Sequence, residues 1–263
     1  MNEESPKAAE LNLPQAFLLL ATNDKDGKPE IPVFALRTTL AGAILAELEM
    51  IGAIELQGKH VRATGATPAT DLQRELELIR HKSRPHKPKR WVSILEGRAE
   101  VQRVYERMAS LGIVEPVGEK HLGFFRTVRY PEKDHGPEAA LLKKIEAALK
   151  GSSTKAGVLD STAAGAGATD GQAADTAAPD AGPSDAAKTD AGPSDAAQPG
   201  GQRPDDRTLA LIALAHAAGL LHKLFPAADR IWADELAKEY WPARAVEDEL
   251  RMIRLAEEEA PAL

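Results

Sequence analysis

TTLAGAILAELEMIGAIEL, Thr38–Leu56, decides how the rest of the chain is read. Leu40, Ile44, Leu45 and Leu48 recur at the three- and four-residue spacing that places side chains on one face of a helix. Gly52 then supplies a helix stop, and Ala53-Ile54-Glu55-Leu56 reads as a short strand. Gln57-Gly58-Lys59 is the turn and His60–Ala63 the returning strand. The same outline recurs downstream. Glu100–Leu111 carries Val101, Val104, Tyr105 and Met108 on one face and ends at Gly112. A strand at Ile113–Val117, a turn at Gly118-Glu119-Lys120 and a return at Leu122–Arg129 follow. Helix, glycine stop, hairpin, twice over, predicts a mainly α fold: a compact helical domain with short β-hairpins in winged-helix-like units.

Around these units the pattern stays helical. Pro14 suits a first helical turn, so Gln15–Thr22 is expected as helix and Asn23–Lys28 as a turn. Thr70–Arg80 is amphipathic through Leu72, Leu76 and Ile79, and Pro137–Leu149 reads likewise. Asp205 or Asp206 can cap a helix over Arg207–Leu224, which is apolar on nearly all sides and needs a partner surface. Ala243–Glu259 is a charged helix with Val246, Leu250, Ile253 and Leu255 facing in.

Between them, residues 151–204 are built from Ala, Gly, Asp, Ser, Thr and Pro, with DAGPSDAA repeated at Asp180–Ala187 and Asp190–Ala197. Such a stretch has too little apolar surface to offset its ordering entropy, so it is expected as a disordered linker. A spacer and a neutral loop insertion explain it equally well. The expected organisation is a tail at 1–10, one domain from 11–150 and 205–259, and the linker at 151–204. The linker holds seven aspartates against Lys155, Lys188 and Arg203, so it carries −4 of the net −7. Global acidity disfavours broad nucleic-acid binding but not a local basic patch.

The 263 residues contain no cysteine, which removes disulfides, thiol nucleophiles and cysteine-ligated metals. MNEESPKAAE is acidic and unlike a secretory leader. Leu209–Leu221, the most apolar run, is thirteen residues long, against the roughly 20 that a bilayer requires. Any membrane contact is therefore expected to be peripheral, from a cytoplasmic location. There is no phosphate loop, no G-x-S-x-G elbow and no H-E-x-x-H, and the seven histidines are scattered. No enzyme activity, catalytic residue, cofactor or metal is expected.

The strongest chemical signal is HKSRPHKPKRW, His81–Trp91, with Lys82, Arg84, Lys87, Lys89 and Arg90, no acid, and two prolines that oppose helix. A basic loop beside a tryptophan suits an anionic bilayer, where each cation is worth about 1 kcal/mol and tryptophan favours the interface. A solvated loop, with Trp91 opening the next core helix, explains the same residues. Leu122, Phe124 and Phe125 could wedge into lipid or join a second copy through the 113–129 hairpin, or simply alternate in a buried strand. Arg98, with Arg103 and Arg107 behind it, offers the planar fork that suits phosphate. The competing reading is a winged-helix DNA-binding regulator. Its recognition helix would be Thr38–Met50, which has no Lys or Arg and carries Glu47 and Glu49, poorly matched to phosphates.

LNLPQAFLLLATNDKDGK, LAGAILAELEMIGAIEL, TGATPATDLQRELELI, LGIVEPVGEKHLGFFRTVRYP and DDRTLALIALAHAAGLL occur here in that order. Together they resemble the Golgi phosphoprotein 3 family over most of 11–149 and 205–250, and the linker and short loops suggest a bacterial member. The resemblance implies a helical domain with a projecting apolar hairpin. It also implies peripheral binding to phosphatidylinositol 4-phosphate on a cytosolic membrane face, and an adaptor role toward cytosolic tails of membrane proteins. The family's lipid pocket uses a tryptophan and three arginines. Pro32 stands at the tryptophan position, Ala41 and Val101 at two arginines, and Arg98 matches the third. Arg37 and the basic loop are expected to compensate. The headgroup residues expected are thus Arg98, Arg37, Lys87, Lys89 and Arg90, with Leu122, Phe124, Phe125 and Trp91 inserting into the membrane.

Overall fold

The structure, a computed structural model, describes residues 11–121, 125–163 and 204–259, with the side chains at 119–127 and 152–163 outside the description. Helix α1 (Leu13–Leu20) opens with a reciprocal cap. The Gln15 N–H donates to Asn12 Oδ1 at 3.0 Å, and the Asn12 N–H donates to Gln15 Oε1 at 3.2 Å. That box satisfies two of the N–H groups a helix start leaves orphaned, and sets α1 two residues earlier than expected. Helix α2 (Val33–Met50) begins five residues before Thr38, at Pro32, whose fixed φ suits the helix entry.

Strands β1 (Ile54–Gln57) and β2 (His60–Ala63) form the first hairpin, closed Gln57 to His60. Helices α3 (Gln73–Arg80), α4 (Pro88–Leu95) and α5 (Arg98–Ser110) follow. The second hairpin is β3 (Val117–His121) with β4 (Phe125–Arg129). Then come α6 (Gly136–Ala163), α7 (Asp206–Ala217), α8 (Leu221–Leu224), α9 (Arg230–Glu239) and α10 (Trp241–Glu259). The fold is mainly helical with two small antiparallel hairpins, as the periodicity predicts.

Helix α2 is the centre. It packs against α1, α4, α7 and α10, and its side chains from Ala35 to Leu48 are buried except at Arg37. Each fully buried Leu or Ile contributes about 1.5–3 kcal/mol over its exposed state. Such a helix cannot also enter a DNA groove, so the recognition-helix reading of Thr38–Met50 fails. Gly42 is the point of closest approach to α10. A Cβ there would lie 2.2 Å from Val246 Cγ2 and 3.3 Å from Leu214 Cδ2. Glu47 is buried at 5% exposure. It accepts from the Leu13 N–H at 2.8 Å and from Arg207 Nη1 at 2.5 Å. One carboxylate thereby ties α1, α2 and α7 together, across the 151–204 segment.

Four local expectations change. Gly118-Glu119-Lys120 is not a turn. Gly118 pairs with Val128 and Lys120 with Arg126, so all three belong to the ladder, which runs out to His121 opposite Phe125; residues 122–124 lie outside the described residues. Ile113 and Val114 are instead buried ahead of the strand. The expected Arg207–Leu224 helix breaks near Gly219, where φ is 73°, and α9 follows under the Asp229 cap. Pro88 does not block a helix but occupies the first turn of α4, where its missing N–H is harmless. Helix α6 runs on to Ala163, past the boundary at 151 where the linker is expected to begin; residues 164–203 lie outside the described residues.

Candidate anion-binding cleft

The first turns of α2 and α5 converge. Neither helix start has a side-chain cap, since Pro32 and Gly97 occupy the cap positions. Unsatisfied N–H groups and the helix dipole make each start favourable to negative charge, and at α5 the Glu100 carboxylate, folded over Gly97, already supplies one. Between them lies a cleft of about 310 Å³. Val33, Leu36 and Arg37 of α2, Arg98, Val101, Gln102 and Tyr105 of α5, the Gly27–Pro29 loop and Val128–Tyr130 line it. Among the described residues, Lys28, Arg37, Arg98 and Arg129 are its four cationic side chains and no carboxylate lines it.

The walls are held from behind. Tyr105 and Tyr130 stack in parallel at 4.5 Å, 3° from coplanar. The Tyr105 hydroxyl is 2.6 Å from Thr22 Oγ1, and Gln102 Nε2 donates to the Tyr130 hydroxyl at 2.6 Å. Burial pushes the Tyr105 hydroxyl up to about 12, so it stays protonated and is a positioning group. Gly27, at φ 64°, lies so close to Tyr130 that a Cβ would meet that residue's backbone nitrogen at 2.5 Å. Only glycine lets the 23–30 loop close on the end of β4.

Lys28 pairs with Asp26 at 2.8 Å, and its hydrogen bond holds the Asp26 carboxyl below its ordinary value. Glu96 accepts from Thr38 Oγ1 at 2.8 Å; burial raises its carboxyl, and Arg37 opposes that shift. The Arg98 side chain has no ion-pair or hydrogen-bond partner among the described residues. Its rim neighbours are apolar and open: Val33 is 50% exposed and Val128 36%. Exposed apolar groups beside unpaired guanidinium suit a ligand with an anionic head and an apolar neighbourhood.

The expected site residues therefore divide. Arg98 and Arg37 meet in the cleft. Lys87, Lys89 and Arg90 do not. The Val61 N–H donates to the His86 carbonyl at 2.9 Å, which sets the start of α4 beside β2. The far end of α4 reaches Thr38 through Glu96. Helix α4 thus runs back along α2, and none of the three basic residues at its start lines the cleft. Lys89 also faces Glu249 at 3.8 Å. Of the expected headgroup residues, only Arg37 and Arg98 line the cleft.

Trp91 is corrected as well. It is fully buried, its ring 5.4 Å from His86, and its Nε1–H has no partner among the described residues, so it is core rather than a membrane anchor. Leu122 and Phe124 lie outside the described residues; Phe125 stands opposite His121 at the end of the ladder, its side chain outside the description. Ala41 is buried away from the cleft, whereas Arg37, one turn earlier, lines it. Sequence reasoning missed Lys28, Arg129 and the tyrosine pair. Lys28 reads only as a turn residue and Arg129 only as a strand end, because their meeting depends on two long-range closures.

The model of the Golgi phosphoprotein 3 (GPP34) family matches residues 13–253. No curated protein matches the chain. The family match takes in α1, both hairpins, the cleft and the first two thirds of α10, and the chain belongs to the Golgi phosphoprotein 3 family.

Proposed function

We propose that the protein is a peripheral membrane-binding adaptor whose cleft takes a phosphorylated lipid headgroup, phosphatidylinositol 4-phosphate by family resemblance. The observation that carries this reading is the meeting of Arg37, Arg98, Lys28 and Arg129 at two uncapped helix starts, with Val33 and Val128 open on the rim. Guanidinium forks and helix N-termini both select phosphate oxygens. The exposed valines offer apolar surface to the carbon that adjoins a seated headgroup. No helix among the described residues is long and apolar enough to cross a membrane, which is compatible with peripheral attachment at a cytosolic face. The remaining surface, including the 82–90 loop, supplies longer-range attraction to anionic lipid, and cytosolic tails of membrane proteins are the partners that family resemblance suggests. The role is binding rather than catalysis.

Vesicle co-sedimentation tests it. Vesicles with phosphatidylinositol 4-phosphate, with phosphatidylserine, with cardiolipin and with neutral lipid alone are compared at two salt concentrations. Arg98→Ala and Arg37→Ala are each expected to weaken binding about fivefold, about 1 kcal/mol per cation. Lys87→Ala with Arg90→Ala weakens all anionic vesicles alike. Equal binding to neutral vesicles, or full binding by the Arg37→Ala, Arg98→Ala double variant, overturns the reading.

A further inference from the structure

Behind the cleft, on the far side of Tyr130, four ligand-type side chains come together. Asp24 follows α1, Glu132 and His135 lie between β4 and α6, and Glu138 is in the first turn of α6. One donor atom from each of Asp24, Glu132 and His135 lies within 4.8 Å of the others. The Glu138 carboxyl, 8% exposed, abuts those of Asp24 and Glu132. The Glu132 side chain is only 2% exposed. Its Oε2 takes His135 Nδ1, while its Oε1 is buried with no N–H or hydroxyl partner among the described residues, the Glu138 carboxyl being the one group placed to share a proton with Glu132. A buried carboxylate oxygen without a partner is costly, and two further carboxyls crowd it with no Lys or Arg among the ion pairs described there.

The backbone around the cluster is pinned. The Glu132 N–H donates to the Asp24 carbonyl at 2.9 Å, the Lys133 N–H to Ile113 at 2.8 Å, and the Gly136 N–H to Asp134 Oδ1 at 3.0 Å. Asp24 and Glu132 are therefore held face to face by the fold. Ligand atoms this close need only small rotations to reach the ~2.0–2.2 Å that oxygen and nitrogen keep from a bound cation.

We propose that Asp24, Glu132, His135 and Glu138 form a binding site for a divalent transition-metal cation, Zn²⁺ or Mn²⁺. Three carboxylates and one imidazole suit borderline Zn²⁺ and carboxylate-binding Mn²⁺, which also accepts imidazole, whereas Ca²⁺ and Mg²⁺ favour all-oxygen sets. A second trio, His216, Asp234 and Glu247, also converges. There, however, Asp234 already holds Lys238 at 2.5 Å, and no orphaned oxygen points inward among the described residues. The proposal is independent of lipid binding, and so is its test.

The untagged full chain, stripped with EDTA and dialysed, is titrated calorimetrically with ZnCl₂, MnCl₂, CaCl₂ and MgCl₂, with thermal unfolding followed in parallel. One equivalent of Zn²⁺ or Mn²⁺ binds and raises Tm. Glu132→Gln, which keeps size and folding, weakens binding by about 10–100-fold or more, and His135→Ala does likewise. His216→Ala leaves it unchanged. Absence of heat and of any Tm shift with both transition metals overturns the site, since protons alone then satisfy the cluster. Binding confined to Ca²⁺ or Mg²⁺, or binding unaltered by Glu132→Gln, overturns it equally.

Discussion

Gly42→Ala is the most demanding check on the packing, because two effects of opposite sign meet at one position. Alanine inside a helix is favoured over glycine by about 1 kcal/mol. Position 42 lies in the middle of α2, so propensity alone predicts a more stable protein. The added methyl, however, would sit 2.2 Å from Val246 Cγ2 and 3.3 Å from Leu214 Cδ2. Carbon atoms pack at about 3.5–4.0 Å, so the first contact is short by more than an ångström. Val246 is fully buried and, on a helix, β-branched side chains hold one strongly preferred rotamer, so α10 must back away from α2. Overpacking of this kind costs about 1–3 kcal/mol, and a clash this deep belongs at the upper end. The net expectation is a loss of about 2 kcal/mol, or roughly 4–8 °C in Tm for a domain of this size. Gly151→Ala is the control. It lies in α6 with no atom within 4 Å of the added carbon, so it should gain up to about 1 kcal/mol. Urea unfolding followed by far-ultraviolet circular dichroism reads both variants. A Gly42→Ala protein as stable as the parent, beside a Gly151→Ala control that behaves, refutes the close α2–α10 contact.

Three further outcomes are expected. Arg207→Ala leaves Glu47 buried without its cation and lowers stability by about 3 kcal/mol, read in the same urea titration. Trp91→Phe removes a buried N–H that has no partner at the expense of a small void; stability shifts by no more than about 1 kcal/mol, and vesicle binding stays at the parent level, unlike the result for an interfacial tryptophan. Burial, then the neighbouring Asp24, raise the Glu138 carboxyl from 4.5 to about 8. The folded state therefore binds that proton more tightly than the unfolded chain, and stability falls as pH rises across this window, levelling above it. In EDTA, Glu138→Gln should flatten that decline and exceed the parent in Tm at about pH 8 but not at about pH 5.

How much was legible depended on how local the determinant is. The Leu40–Leu48 and Val104–Met108 periodicities specify α2 and α5, because helical burial repeats every three or four residues. Arg98 and Arg37 are readable from residue type and family resemblance as candidates, and both line the cleft. The β3–β4 register was not, because Gly118-Glu119-Lys120 has turn composition while pairing across the ladder depends on where Ile113 and Val114 bury. Helix α9 escaped because its apolar face is thin: only Ala233 and Ala237 are buried. The fate of Trp91 turned on tertiary context, since the same ring beside the same basic loop serves an interface or a core equally well. Lys28, Arg129 and the Asp24–Glu132 meeting depend on the 23–30 loop closing over Tyr130, a contact spanning most of the N-terminal half.

The order in which α2 and α10 leave the ribosome has its own consequence. Helix α2, apolar on almost every side, is complete at Met50, yet the helix that seals it starts at Trp241. At about 5–20 residues per second, translation leaves that surface uncovered for roughly 10–40 s. The nascent protein must therefore lean on chaperones or on α1 and α4 as temporary shields. Slowing elongation after α2 should increase aggregation in cells without altering the stability of the finished molecule.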